Sequence, residues 1–143
     1  MFGIYQDNDD LDRFSDQEIV ARTLYGEARG EGYLGQQGVC NVIFNRAAKP
    51  GWWGTNPRDC ALHPYQFSCW NNSDPNRSKI VAVTPEDSIY AQCYDIAGLA
   101  FSGQLDDITS GADSYQVIGT NARWAVGLNP CAIIGKQEFY KTK

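Results

Sequence analysis

The chain has 143 residues, which is the size of one domain with its own core. Apolar residues make up 43% and charged residues 20%, an ordinary globular composition that excludes a largely disordered protein, and no apolar run is long enough to span a membrane. The net charge is −5 with the basic residues scattered, which argues against nucleic acid as a partner.

The beginning of the chain is polar and acidic. Residues 1–13 are predicted to form an acidic N-terminal arm, and residues 14–143 a single catalytic domain. The first residues lack the basic-then-apolar layout of a signal peptide. We therefore expect synthesis in a cytoplasm and, since nothing in the sequence demands an oligomer, a monomer.

The first helix has a strong start signal. Ser15 as N-cap and Glu18 three residues later predict a capping box, and Phe14 and Ile19 predict a hydrophobic staple around it. The helix is expected to run over residues 16–29 and to stop at the glycines that follow.

Two more helices and a long loop follow. Apolar periodicity predicts a second helix over residues 35–48, ended by Pro50-Gly51. The segment 51–83 is rich in Trp, Asn, Pro and Ser and is predicted to be a loop with short helical turns at most. A third helix is expected to begin with Thr84 as N-cap and to end at Gly103.

Short strands are predicted near the C-terminus, over residues 114–118, 132–134 and 138–140, with a hairpin turn at Gly135-Lys136. The predicted fold class is therefore α+β, mostly helical with a small antiparallel β element near the C-terminus.

Glu27 occupies an unexpected position on the first helix. At about 100° per residue it lies in the middle of the apolar arc that Ile19, Val20 and Leu24 define. An ionised carboxylate is costly to bury, whereas a carboxyl group that keeps its proton can act as a general acid on a glycosidic bond. The alternative is a buried ion pair with an arginine: Arg22, Arg29 or Arg46.

Glu31 follows Glu27 by four residues. If the helix continued through Gly30, the two carboxylates would be neighbours and could form a retaining glycosidase pair. The other interpretation, which we prefer, is that Glu31 accepts hydrogen bonds from loop amides and shapes the turn.

Five ordered blocks of sequence carry a resemblance to a known family. They are Tyr25-Gly26-Glu27-Ala28-Arg29-Gly30-Glu31, the helix with Gly35-Gln36 and Val42-Ile43-Phe44-Asn45-Arg46, Gln66-Phe67-Ser68, Asp107-Ile108-Thr109-Ser110-Gly111-Ala112 with Tyr115, and Trp124-Ala125 with Ile134-Gly135 and Phe139-Tyr140. Over residues 15–141 the chain resembles the SleB-like cell-wall hydrolases, which include spore-cortex-lytic enzymes and phage endolysins. Ile108 and Gln137 replace the family's usual Pro and His.

The resemblance implies a lysozyme-like fold and cleavage of the MurNAc-(β1,4)-GlcNAc bond of peptidoglycan, commonly as a lytic transglycosylase. The family's catalytic glutamate matches Glu27. The substrate-binding residues that we expect from the matched blocks are Tyr25, Arg29, Glu31, Gln66, Phe67, Ser68, Ser110, Gly111, Ala112, Tyr115 and Trp124. The short, single-domain chain looks more like a bacteriophage endolysin than a spore enzyme. Such an enzyme would act on the cell wall after release through a separate pore or by lysis.

Other functions remain open at this point. If Glu27 were the general acid and Glu31 or Asp107 held a water molecule that attacks the sugar, the enzyme would be a hydrolytic muramidase. His63, the one histidine, with Cys60 or Cys69 could form a stem-peptide amidase, and the fold could also be a non-catalytic wall-binding module. One histidine cannot build a multi-histidine metal site, so we predict no metal and no cofactor. The odd number of cysteines at irregular spacing predicts free or buried thiols in a reducing compartment.

Aromatic residues are abundant and suit a sugar-binding groove. Trp124 and Tyr115 are expected near the site because they lie in the matched blocks, whereas core packing is the preferred interpretation for Trp52, Trp53 and Trp70.

Overall fold

A computed structural model describes residues 11–49 and 51–143 of the chain. Within these residues the helices are α1 (Asp16–Ala28), α2 (Gly32–Ala48), α3 (Pro57–Leu62), α4 (Asn76–Ala82) and α5 (Ser88–Phe101). The strands are β1 (Ser114–Val117), β2 (Ala132–Ile134) and β3 (Gln137–Tyr140), and short 3-10 turns span Ser68–Trp70 and Arg123–Ala125. The predicted α+β class is confirmed.

Helix α1 begins as its sequence predicts. The Glu18 N–H donates to Ser15 Oγ at 3.1 Å and the Ser15 N–H donates to Glu18 Oε1 at 2.8 Å, so both halves of the capping box are formed. Phe14 and Ile19 are both buried, as the staple requires. The helix ends at Ala28, and the chain turns into α2 through Gly32, whose φ of 78° is in the left-handed region.

Helix α1 is the centre of the fold. It packs against each of the other four helices, most extensively against α5. Its residues Ile19, Val20 and Leu24 have no solvent-exposed surface and form the middle of the core. The apolar arc predicted from the helical period is therefore confirmed, and it places Glu27 at the edge of the core.

Two predictions about the middle of the chain are wrong. Helix α5 begins at Ser88 with Asp87 as N-cap, not at Thr84, because the Asp87 carboxylate accepts from the Ile89 and Tyr90 N–H groups. The segment 51–83 is more helical than expected. It contains α3, which Asn56 caps by accepting from the Asp59 N–H, and the two-turn helix α4.

The sheet lies against α2. Its strand order is β1-β3-β2 and both pairings are antiparallel, with Gly135 at a φ of 58° in the hairpin turn between β2 and β3. Gly38 of α2 allows the close approach, because a Cβ atom there would lie 2.7 Å from the ring of Phe139. The predicted strands and the hairpin are confirmed to within one residue.

The predicted acidic arm falls mostly on residues 1–10, which lie outside the described residues, as does Pro50. Leu11 is buried in the core, and its carbonyl accepts from Arg58 Nη2 at 2.9 Å. No helix in the described ranges is long and apolar enough to cross a membrane.

Candidate active site

The carboxyl group of Glu27 is held by two donors from distant parts of the chain. Its Oε1 accepts from the Tyr115 hydroxyl at 2.9 Å, and its Oε2 accepts from the Cys69 N–H at 3.3 Å. The side chain is half-buried in the last turn of α1. The carboxyl group is therefore fixed in orientation but open on one side.

Tyr115 reaches Glu27 from strand β1. It pairs with Phe139 in the sheet register, and the two rings pack with their centres 5.7 Å apart. Burial raises the pKa of Tyr115 well above its usual range, and the charge of Glu27 and their hydrogen bond raise it further. Tyr115 therefore keeps its proton and donates it in the hydrogen bond to Glu27.

Cys69 reaches Glu27 because the Ser68–Trp70 turn is anchored on α1. The indole of Trp70 is buried, and its Nε1 donates to Thr23 Oγ1 at 2.9 Å. Gly26 has no side chain to hold the turn away, since a Cβ atom there would lie 2.7 Å from Cys69 Cβ. The backbone N–H of Cys69 therefore lies within hydrogen-bond distance of the carboxyl group of Glu27, the residue that follows Gly26 in α1.

Glu27 opens into a cavity of about 490 Å³. Aromatic, amide and basic side chains share its wall, which is formed by Glu27, Arg46, Trp52, Trp53, Tyr65, Gln66, Ser114, Tyr115, Trp124, Thr142 and Lys143. Trp52, Tyr65 and Trp124 are 54%, 74% and 42% exposed and offer ring faces to a ligand. Within the described residues, Glu27 is the one carboxylate side chain in this wall.

Tyr65 has a strained backbone at this cavity. Its φ is 67°, a left-handed conformation that costs a residue other than glycine on the order of 1 kcal/mol or more. Such strain is concentrated at functional sites, because the surrounding structure must hold the residue there.

The two basic groups in the cavity wall are Arg46 and Lys143. Arg46 donates through Nε to the Asp113 carbonyl at 2.7 Å and through Nη1 to Gln66 Oε1 at 3.4 Å, and its burial lowers the pKa of its guanidinium. Lys143 Nζ lies 5.4 Å from the centre of the Trp53 ring. The cavity thus has positive charge beside Glu27 although the chain is acidic overall.

The arginines proposed as ion-pair partners of Glu27 are engaged elsewhere. Arg22 donates to the carbonyls of Ile80 and Val83 at 2.7 and 2.8 Å, and Arg29 Nη2 donates to Asn76 Oδ1 at 2.6 Å. In the described part of the chain, no ion pair joins Glu27 to an arginine. The buried ion-pair alternative is therefore wrong.

The structure brings four of the predicted site residues, Glu27, Gln66, Tyr115 and Trp124, together in one cavity. Tyr25 and Arg29 do not line it. The Tyr25 hydroxyl donates to Asp87 Oδ2 at 2.8 Å, and the Arg29 guanidinium lies 5.0 Å from the centre of the Tyr25 ring. These two residues connect α1 with α4 and α5.

Glu31 also lies outside the cavity wall. Because α1 ends at Ala28, Glu31 is the N-cap residue of α2, and the helical i, i+4 neighbourhood with Glu27 is not formed. Its side chain makes no hydrogen bond to the amides that it would cap, so the preferred interpretation, in which loop amides bind Glu31, is not met at these amides. The side chain of Glu31 extends past Gly35 towards Gly135. Its Oε1 lies 3.7 Å from the position that a Cβ atom on Gly135 would occupy.

The other predicted binding residues lie outside the cavity wall. Phe67 is buried, with the Arg46 guanidinium 5.2 Å from its ring centre, and Ser68 is exposed at the start of the Ser68–Trp70 turn. Gly111 donates its N–H to Asp107 Oδ2 at 3.0 Å, and Ala112 donates its N–H to Thr109 Oγ1 at 3.1 Å.

The loop of residues 107–112 is therefore stabilised by hydrogen bonds between its own residues. Ser110, at a φ of 62°, turns this loop, and neither it nor Gly111 and Ala112 lines the cavity. The amides of Gly111 and Ala112, two of the expected substrate-binding residues, bond within the loop.

The thiol-nucleophile alternative has no geometry to support it. His63 Nδ1 lies 3.2 Å from the Pro64 carbonyl, and its ring packs on Trp52. Burial raises the pKa of Cys60 to about 11 and that of Cys69 well above its usual range, which opposes a thiolate. The five cysteines are free, four of them buried, as predicted. Among the described residues, no group of three His, Cys, Asp or Glu side chains is placed to hold a metal ion.

The sequence missed several residues of the cavity. Arg46 lies in a matched block, and the adjacent tryptophans Trp52 and Trp53, for which core packing is our preferred interpretation, are an aromatic signal for the cavity. Trp53 is buried yet lines the cavity, and Trp70 is a core residue as expected. Tyr65, Ser114, Thr142 and Lys143 gave no signal, because long-range packing brings them to the site.

A helical body and a small sheet enclose an aromatic cavity, with one oriented carboxyl group on the central helix, an arrangement typical of an enzyme active site. Residues 30–140 match the family model described as Cell Wall Hydrolase, and the chain belongs to this family. Glu27 itself lies just before the matched range.

Two solved structures share the fold. The catalytic domain of the germination-specific lytic transglycosylase SleB from Bacillus anthracis has a TM-score of 0.66 and 27% identity, covering 90% of this chain and 97% of that one. The catalytic domain of the Bacillus cereus SleB protein has a TM-score of 0.66 and 26% identity, covering 88% and 89%. These likenesses agree with the predicted family resemblance.

A curated relative, a spore cortex-lytic enzyme from Halalkalibacterium halodurans, is 50% identical over 36 residues, or 25% of this chain. The match spans 11% of that relative's length.

Proposed function

We propose that this cell wall hydrolase cleaves the MurNAc-(β1,4)-GlcNAc bond of peptidoglycan as a lytic transglycosylase, with Glu27 as general acid and then base. The observation that carries the proposal is the carboxyl group of Glu27, oriented by Tyr115 and the Cys69 N–H and open to an aromatic cavity. The similarity to a lytic transglycosylase domain over most of the chain supports the same reaction.

The reaction needs one carboxyl group. Glu27 donates its proton to the bridging oxygen as the bond from that oxygen to C1 of MurNAc breaks. The C6 hydroxyl of the same MurNAc then attacks C1, and its proton returns to the Glu27 carboxylate. The products are a 1,6-anhydro sugar and a free hydroxyl on the leaving GlcNAc, and no water is consumed.

The neighbours of Glu27 support the second step and the binding of the substrate. In the second step Glu27 is ionised, and the Tyr115 hydroxyl and the Cys69 N–H both donate to the carboxylate without moving. Trp52, Tyr65 and Trp124 supply flat faces for the C–H sides of pyranose rings. Arg46 and Lys143 give the cavity the positive charge that suits the carboxylates of muramic acid and its peptide.

The hydrolytic alternative requires a second group to hold a water molecule. Asp107 is poorly suited, because it already accepts from the Thr109 N–H, Thr109 Oγ1 and the Gly111 N–H. Burial alone would raise the pKa of Asp107. The hydrogen bonds from Thr109, Gly111 and Asn45 outweigh this effect, and the pKa of Asp107 is lowered. Glu31 and Asp107 both lie outside the cavity wall, which favours the lytic reaction.

Product analysis on purified sacculi tests the reaction. We expect mass spectrometry of the digest to show fragments that end in 1,6-anhydro-MurNAc, each one water lighter than the hydrolytic product. Fragments with only reducing ends would replace the lytic mechanism by the muramidase mechanism. Binding of sacculi without any release of fragments would instead favour a non-catalytic wall-binding module.

Replacing Tyr115 with Phe tests the orienting hydrogen bond. The variant keeps the ring packing on Phe139 but removes the donor to Glu27 Oε1, so we expect kcat to fall by about tenfold, the value of one lost hydrogen bond of about 1.4 kcal/mol. The measurement is the rate of turbidity loss per enzyme at saturating concentrations of sacculi. Tyr94→Phe on α5 is the matched control and should keep the wild-type rate. Equal rates for all three proteins would show that the bond does not contribute.

We also propose that the protein works as a monomer on glycan strands, without membrane or nucleic acid as partners. Synthesis in a reducing cytoplasm and action after release through a separate pore or lysis remain our prediction, and the five free cysteines support it. The bacteriophage endolysin assignment likewise stays a prediction.

A further inference from the structure

A second cavity of about 310 Å³ adjoins the candidate active site. Trp124 lines the first cavity and Tyr140 lines the second, and their rings contact edge to face with centres 5.2 Å apart. Tyr115 and Gln116 are successive residues of the edge strand β1 and face opposite sides of the sheet, so the two cavities lie on either side of this strand and meet at Trp124 and Tyr140. A ligand that passes over Trp124 can therefore contact both cavities. We call the second one the Glu138 cavity, after the carboxylate in its wall.

The polar groups of the Glu138 cavity are pre-arranged by a local network. Glu138 Oε2 accepts from the Tyr140 hydroxyl at 2.8 Å and from Gln116 Nε2 at 3.3 Å. The Ala122 N–H donates to Gln116 Oε1 at 2.9 Å and fixes that amide. All these bonds to Glu138 use Oε2, and within residues 11–49 and 51–143 no donor is hydrogen-bonded to Oε1. The network thus leaves an oriented acceptor at a half-buried carboxylate.

The shape and charge of this cavity fit a neutral sugar. Gly119 and Gly127, at φ of 93° and 80°, leave open space where side chains would project. Val126 is 76% exposed and gives the rim an apolar edge. Within the described chain the wall holds Glu138 and no basic side chain, which disfavours an anionic ligand. Hydroxyl-binding acceptors beside an apolar edge are typical of pyranose sites.

We propose that the Glu138 cavity is a distal saccharide-binding site for a neutral N-acetylhexosamine residue of the glycan strand whose cleavage site lies at Glu27. The inference rests on the proposed function for the identity of the strand. Glu138 Oε1 accepts from a sugar hydroxyl, and the strand crosses Trp124 between the two cavities. The site makes binding depend on strand length, because a short fragment fills the first cavity without reaching Glu138.

Isothermal titration calorimetry tests the proposal with peptide-free peptidoglycan tetrasaccharide and octasaccharide as probes. A Glu27→Gln background prevents cleavage during the titration. We expect Glu138→Gln to raise the Kd for the octasaccharide by about tenfold and to leave that for the tetrasaccharide within about twofold, since one hydrogen bond to a charged group is lost. Ala122→Leu, which fills the cavity and keeps the carboxylate, should give the same length-dependent loss.

The controls separate binding from folding. Glu86→Gln removes the same charge from an exposed loop before α5 and should leave both Kd values unchanged. If Glu138→Gln lowers the Tm, Ala122→Leu decides the outcome. Unchanged octasaccharide affinity, or an equal loss for both probes, would overturn the site. Failure of the wild-type chain to release fragments would overturn the proposed function, whereas a length-dependent loss of affinity would still uphold the Glu138 site.

Discussion

Replacing Glu27 with Gln is expected to reduce the release of glycan fragments from sacculi by roughly a thousandfold, the middle of the range for loss of one general acid–base group. The amide has nearly the shape of the carboxyl group but can neither give the proton to the bridging oxygen nor take it from the C6 hydroxyl. Both steps therefore lose their proton carrier in one substitution.

The same variant is expected to fold. The amide oxygen that Glu27→Gln introduces can still accept from the Tyr115 hydroxyl, and only the longer contact from the Cys69 N–H, at 3.3 Å, loses its acceptor. We expect the free energy of unfolding to fall by no more than about 1 kcal/mol. Urea denaturation measures this quantity, and turbidity loss and fragment release measure activity.

Glu31→Gln distinguishes one carboxyl group from two. Glu31 occupies the N-cap position of α2 outside the cavity wall, so this variant should retain most of the wild-type rate. Loss of activity in both variants, with both proteins folded, would contradict the one-carboxyl mechanism. Sensitivity to thiol reagents together with an active Glu27→Gln variant would revive the thiol-nucleophile mechanism.

The parts of the fold that could be predicted from the sequence depend on local interactions. The capping box joins Ser15 to Glu18 within one turn, and the helical period alone places Glu27 in the middle of the apolar arc. The predicted start of α5 is wrong because the sequence has two residues that favour an N-cap position, Thr84, which is followed by Pro85, and Asp87. Tertiary contact favours Asp87, which also accepts from the Tyr25 hydroxyl at 2.8 Å.

The site itself depends on long-range contacts that no local pattern encodes. Tyr115 is 88 residues from Glu27 and Cys69 is 42 residues from it, and each reaches the carboxyl group through the packing of its own element on α1 or α2. Family resemblance identified Tyr115 but not Cys69, whose contribution is a backbone N–H that any residue but proline has. It also placed Gly111 in the binding site, although the N–H of Gly111 bonds to Asp107. A motif identifies residues that the fold needs, but it does not show which of them shape a loop and which bind a ligand.

Gly26 tests how closely that long-range packing controls the site. A Cβ atom on this residue would lie 2.7 Å from Cys69 Cβ, 2.8 Å from Cys69 Sγ and 3.0 Å from Ile80 Cγ2. Cys69 and Ile80 are buried, so none of these atoms can move into solvent. Gly26→Ala must therefore push the Ser68–Trp70 turn away from α1, and the Cys69 N–H moves away from Glu27 with it.

We expect Gly26→Ala to lower the free energy of unfolding by about 1–2 kcal/mol, because overpacking of about 1–3 kcal/mol exceeds the gain of at most about 1 kcal/mol from the helix propensity of alanine. Activity should fall by roughly tenfold or more, since a displaced donor leaves Glu27 free to rotate from its productive position. Gly30→Ala is the matched control: nothing lies within 4 Å of its Cβ position, and both stability and rate should stay close to wild type. A Gly26→Ala variant as active as Gly30→Ala would mean that the Ser68–Trp70 turn does not hold the acid. A rate loss larger than the unfolded fraction explains would locate the effect in the geometry of Glu27, because a protein that is merely less stable keeps its full rate while it is folded.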